Sequence, residues 1–105
     1  MITKTVRNGY STVRMTYDRS LSEMPNAQCG VRFTADGSIH FYSYITRVIT
    51  IDKDGWIECT GTYSLTTRRQ IKKFLKEYAP VFDTYAIEQI AGTGERINLY
   101  TGEIK

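Results

Sequence analysis

Arg69, Lys72, Lys73 and Lys76 stand at positions i, i+3, i+4 and i+7, with Arg68 beside them. On a helix that spacing puts four cations on one face, a strip able to pair with phosphate or carboxylate oxygens. No acidic residue occurs from Cys59 to Lys76. Arg68 and Arg69 in the first turn of a helix starting near Thr67 oppose the helix dipole at roughly a few tenths of a kcal/mol each, more than solubility alone requires. An anionic partner is the functional reading of the strip. The competing reading is a solvated face balanced in space by Asp52, Asp54 or Glu58.

Directly before the strip, Thr60-Gly61-Thr62-Tyr63-Ser64-Leu65-Thr66-Thr67 enters the helix through hydroxyls and unpaired backbone N–H groups, a place where an anion can sit. Tyr63 and Ser64 therefore join Arg68, Arg69, Lys72, Lys73 and Lys76 as candidate partner-contacting or anion-contacting residues. Ordinary capping is the other role open to these hydroxyls. The segment lacks the glycine spacing and lysine of a phosphate-binding loop, so nucleotide hydrolysis has no support. His40 has no Ser or Cys at an identifiable spacing, and Asp52 and Asp54 are read as turn residues capping backbone groups, the other reading being an exposed acidic pair that binds a divalent ion weakly. Cys29, Cys59 and the single histidine do not make a four-ligand zinc site. The reading carries no catalytic residue, no metal and no cofactor. The chain has eight tyrosines, a surplus that suits contact surfaces; Tyr17, Tyr78 and part of the Tyr42 and Tyr44 pair are expected in the core, with Tyr10, Tyr63 and Tyr100 outside.

The elements that position these residues follow from periodicity. Thr67 and Gln70 fit a capping box, and Ile71, Phe74, Leu75 and Tyr78 form an apolar stripe that ends before Pro80, which predicts a helix over 67–79. A weaker helical spacing covers 83–91. Asn8-Gly9 predicts a tight hairpin pairing Val6 with Ser11 and Lys4 with Val13, with Ile2, Val6, Val13, Met15 and Tyr17 on one core-covering face. Gln28 to Thr34 alternates, placing Cys29, Val31 and Phe33 on one side. Bulged loops at Ala35-Asp36-Gly37 and Lys53-Asp54-Gly55 pair Phe33 with Ile39, Val31 with Phe41, Ile51 with Ile57 and Ile49 with Cys59. The run from Ile39 to Asp52 reads as a long strand with a bend or bulge near Ser43 and Thr46. Arg96 to Tyr100 is a last short strand.

With 105 residues, 41% apolar and 24% charged, the chain has the size of one domain over 1–105. The fold class is α+β: an antiparallel sheet of hairpins covered on one face by the amphipathic helix and a short second helix. A net charge of +3 does not by itself point to nucleic acid. The start lacks a signal-peptide apolar stretch, and no run approaches the roughly 20 apolar residues of a membrane span, so a reduced, cytoplasmic, soluble protein is expected.

Ser43-Tyr44-Ile45-Thr46 and Gly61-Thr62-Tyr63-Ser64-Leu65-Thr66-Thr67-Arg68, followed by Ile71, Phe74, Glu77 and Tyr78, resemble a family of small bacteriophage and mobile-element proteins over residues 43–78. Where Gln70 stands here, members of that family often carry a histidine. The resemblance implies a setting in the host bacterial cell and a partner among host defence proteins, as for anti-CRISPR proteins. The resulting expectation is a non-enzymatic inhibitor that binds a CRISPR nuclease of the Cas9 type or its nucleic-acid channel. The alternative is a small DNA- or RNA-binding protein using the basic helix face on phosphates. A small enzyme built on Glu58, His40 or Tyr63 would need these side chains to converge on one pocket.

Overall fold

The computed structural model describes the backbone of residues 2–7 and 10–105 and the side chains from residue 16 onward. Strands β1 (Ile2–Arg7) and β2 (Tyr10–Met15) form a two-stranded antiparallel sheet in which Val6 pairs with Ser11 and Lys4 with Val13, the register that the sequence predicts. The Asn8-Gly9 turn and the expected apolar face of Ile2, Val6, Val13 and Met15 lie outside the described residues.

A second, antiparallel sheet runs in simple order through β3 (Cys29–Phe33), β4 (Ile39–Ser43), β5 (Thr46–Ile51), β6 (Trp56–Cys59) and β7 (Arg96–Asn98). Its two bulged loops set the register as expected. Phe33 pairs with Ile39, Val31 with Phe41, Ile51 with Ile57 and Ile49 with Cys59, with Gly37 at φ 89° and Gly55 at φ 87°. A side chain with a Cβ rarely takes that left-handed backbone, so glycine fixes both turns and, through them, which face is apolar. At the second loop, Asp52 Oδ1 accepts from the backbone N–H of Asp54 and of Trp56, so this carboxylate serves the turn.

The run from Ile39 to Asp52 is not one bent strand. It breaks into a hairpin, with Ser43 paired to Thr46 around Tyr44-Ile45, and a bulge lies one step further in, where the pairing shifts between Phe41 and Tyr42. Tyr44 takes φ 56° without being glycine, a conformation held from both sides of the residue. Its N–H donates to Gln28 O at 2.6 Å and its carbonyl accepts from Tyr17 Oη at 2.7 Å. Lacking Gly, Asn or Asp, the turn has no local sequence signature.

Helix α1 spans Leu65–Tyr78, two residues earlier at its start than the expected Thr67. Ser64 is the N-cap, its Oγ accepting from Thr67 N at 3.1 Å, so the Thr67–Gln70 capping box gives way to a cap three residues upstream. Helix α2 covers Thr84–Ile90 with Asp83 as cap. Both pack on one face of the five-stranded sheet, where Phe74 stacks on Phe41 at 4.7 Å and on Tyr78 at 5.1 Å among buried Val31, Ile49, Ile57, Ile71 and Ile87. Phe33 departs from its expected core place. It is 47% exposed at the end of β3, with the tilted ring of Tyr78 at 6.5 Å. Of the tyrosines expected inside, Tyr44 is exposed and Tyr17, Tyr42 and Tyr78 are half-buried; Tyr63 and Tyr100 are exposed as expected, and the Tyr10 side chain is outside the described residues. Among the described residues no helix is long and apolar enough to cross a membrane.

Burial also sets an alkaline limit. Cys29 and Cys59 are free and buried, and burial pushes the Cys29 thiol up to about 11; burial raises Cys59 too. Tyr17 is pushed up to about 12, chiefly by burial. Each group is held neutral in the native state, so its stabilising effect is complete below the unfolded-state pKa and fades as the unfolded chain ionises first. Urea midpoints are expected to hold to about pH 9 and then to fall as the pH rises to about 11. A flat profile over that window would contradict the burial of Cys29.

Candidate functional site

The cationic strip lies on α1 as the periodicity requires, with Ile71, Phe74 and Leu75 turned to the sheet and Arg68, Arg69, Lys72 and Lys76 exposed. Because α1 begins at Leu65, Arg68 sits at the end of the first turn and Arg69 beyond it, which weakens their opposition to the helix dipole. Two carboxylates answer the strip, and neither is one of the expected Asp52, Asp54 or Glu58. Glu88 of α2 meets Arg68 at 2.9 Å. Glu23, in the loop between β2 and β3, meets Lys76 at 3.0 Å and Lys73 at 3.3 Å, and the hydrogen bonds from Lys76 and then Lys73 hold its carboxyl below the usual carboxylate range.

Five cations against two carboxylates leave the strip three charges positive. Arg69 and Lys72 make no ion pair or side-chain hydrogen bond among the described residues. Beside them a groove of about 420 Å³ runs between α1 and the connection to α2. Lys72, Lys73 and Lys76 stand on its α1 side, Pro80, Phe82, Asp83 and Thr84 on the other, and Leu75 also lines it. The Asp83 carboxylate is engaged as the α2 cap, its Oδ1 accepting from Ala86 N at 3.0 Å, and the three lysines next to apolar surface suit an anionic group carried on an apolar body. The groove was not legible in the sequence because its far wall comes from the irregular segment after Pro80.

The hydroxyl segment before the helix is occupied with the fold. Ser64 caps α1, and the exposed Tyr63, at φ 56°, places its Oη 2.8 Å from Thr60 Oγ1. The strip and the hydroxyl segment are thus adjoining features, with Lys72 and Arg69 rather than Ser64 and Tyr63 holding free hydrogen-bonding capacity. His40 is elsewhere, on the sheet face away from the helices, edge-on to Tyr42 at 6.4 Å. Burial and then Arg47 push its pKa down. Glu58, His40 and Tyr63 do not converge on the groove. Among the described residues no three His, Cys, Asp or Glu side chains gather as a metal site.

The two resembling segments meet inside the molecule. Ser43 Oγ donates to Gln70 Oε1 at 2.5 Å and lies 3.3 Å from Thr67 Oγ1, which in turn is 3.2 Å from Ser64 Oγ, and Ser43, Thr67 and Gln70 are all buried. Gln70 faces this buried junction of sheet and helix and not the cationic surface. Replacing Ser43 with alanine strands the Gln70 oxygen without its donor and is expected to cost about 1–3 kcal/mol in urea unfolding, against about 1 kcal/mol for Ser64→Ala at the cap. Equal, near-zero effects would remove the structural account of the motif.

Fold and site together define an α+β domain with a sheet-packed helix whose outer, cationic face borders a groove. The chain belongs to a family of unknown function, DUF8033, whose model matches residues 7–89. That match takes in the whole of the 43–78 segment and both walls of the groove. No curated protein and no solved structure matches the chain.

Proposed function

We propose that this chain is a small non-enzymatic anti-defence protein that acts inside a bacterial host by docking, with the outer face of α1 and its groove as the contact surface. One observation supports the docking: Lys72 is exposed, lacks an ion pair among the described residues and stands on a groove that Leu75 and Phe82 also line. A partner segment with a carboxylate beside an apolar side chain complements both features. The anti-defence role and the choice of a Cas9-type CRISPR nuclease rest on the phage-protein resemblance of residues 43–78. Glu23 acts as an internal competitor in this scheme, since it holds Lys73 and Lys76 until a partner carboxylate replaces it.

The test is a DNA-cleavage assay with a guide-loaded Cas9-type nuclease. Stoichiometric slowing of cleavage together with co-elution supports the proposal, and neither slowing nor association overturns it. Glu23→Gln is expected to tighten the association, because it frees two lysines without touching the core. The free guanidinium of Arg69 favours a second reading, in which the strip binds duplex phosphates. That reading requires log affinity to fall by nearly one unit per log unit of salt for each phosphate neutralised, and salt-independent binding dismisses it.

A further inference from the structure

The helices cover one face of the five-stranded sheet, and its other face carries a different set of side chains. Register places Arg32, His40, Thr50, Glu58 and Arg96 in one row across all five strands. The neighbouring row holds Gly30, Tyr42 and Arg47. Four strand intervals of roughly 4.8 Å make the first row about 19 Å wide. Tyr17 completes the surface. A Cβ built on Gly30 would come within 2.5 Å of Tyr17 Cγ, so the Tyr17 ring lies directly on the Gly30 backbone, on the outward side beside Tyr42. The bond from Tyr17 Oη to the Tyr44 carbonyl fixes that ring in place.

Arg32 and Arg47 make no ion pair or side-chain hydrogen bond among the described residues. Both guanidiniums lie close enough to His40 to lower its pKa, after the larger effect of burial and against the opposing Asp36. At the far edge, Arg96 and Lys105 sit over the Trp56 ring at 5.2 and 5.3 Å. Glu58 is the one acidic side chain in the row across the five strands.

We infer that the sheet face opposite the helices binds single-stranded nucleic acid, with Tyr17, Tyr42 and His40 as stacking rings and Arg32 and Arg47 as phosphate contacts. The charge pattern complements a polyanion, and the rings select for unpaired bases, because a base can stack on a side chain only once it has left its own duplex stack. The surface lies on the side of the sheet opposite α1, so this inference is independent of the docking proposed for the cationic groove.

The probes are a fluorescein-labelled oligothymidylate and a duplex of equal length, titrated by anisotropy with the full chain at several salt concentrations. The oligothymidylate is expected to bind more tightly than the duplex. Tyr42→Leu is expected to weaken single-strand binding roughly tenfold by loss of one stacked base. Arg47→Ala is expected to reduce the salt slope by roughly 0.7. Arg47 is exposed, so that variant reports on binding even if Tyr42→Leu disturbs the half-buried ring site. Duplex preference, no wild-type binding, or binding that follows Lys72→Glu while ignoring Arg47→Ala overturns the inference. Loss of nuclease inhibition in a Lys72→Glu variant that keeps its oligothymidylate binding leaves the inference intact and separates it from the docking proposal.

Discussion

Replacing Phe74 with alanine is expected to lower the unfolding free energy by about 3–5 kcal/mol. The ring is fully buried and stacks on Phe41 from the sheet and on Tyr78 one helical turn later, so its removal opens a void where α1 meets β4. Neither neighbour can relax into that space easily, because Phe41 is fixed by its place in the register and Tyr78 by the last turn of the helix. Against a total stability of roughly 5–15 kcal/mol the loss is large, and the melting temperature should fall by roughly 15 °C or more. Phe33→Ala is the control. That ring is 47% exposed, and its removal is expected to cost less than about 1 kcal/mol. Similar losses for the two variants would mean that α1 is not seated on the sheet through Phe74.

The second large effect concerns binding. Arg69→Glu combined with Lys72→Glu turns a strip three charges positive into one that is one charge negative, and it does so at exposed side chains that hold no ion pair among the described residues. Each reversal removes an attraction to the anionic partner and adds a repulsion, so the pair should weaken association by roughly tenfold or more. Folding should be untouched, since both side chains are exposed. The sharper contrast is with Arg68, which Glu88 already engages at 2.9 Å and whose removal should matter less.

The sequence carries the two bulged hairpins because glycine placement and the alternation of Val31, Phe33, Ile39 and Phe41 constrain each other; a loop one residue shorter would turn half of these side chains outward. The apolar stripe of α1 was legible for a similar reason, as its period admits only one buried face. Three features were not. The turn at Tyr44 depends on bonds to Gln28 and Tyr17, both distant in sequence. The N-cap fell to Ser64 because Thr67 is drawn into the buried junction with Ser43 and Gln70, a tertiary contact that overrides the local capping pattern. The carboxylates that meet the strip, Glu23 and Glu88, come from a loop and from the second helix, and no spacing rule connects them to residues 68–76.

For the site, the run of cations and its face on the helix could be read in advance, whereas its electrostatic state could not. Knowing that Glu23 bridges Lys73 and Lys76 narrows the contact surface to Arg69, Lys72 and the groove. The surplus of tyrosines also divides: Tyr63 and Tyr100 are exposed, while Tyr17 and Tyr42 are half-buried on the sheet face opposite the helices.

The most direct measurement is an anisotropy titration of the labelled protein against a guide-loaded Cas9-type nuclease, run side by side for the wild type and the Arg69→Glu, Lys72→Glu double variant, with circular dichroism confirming equal folding. Saturable wild-type binding that the double variant loses by roughly tenfold or more is the predicted result. Absence of wild-type binding, or equal affinity for both proteins, would contradict the docking role of α1.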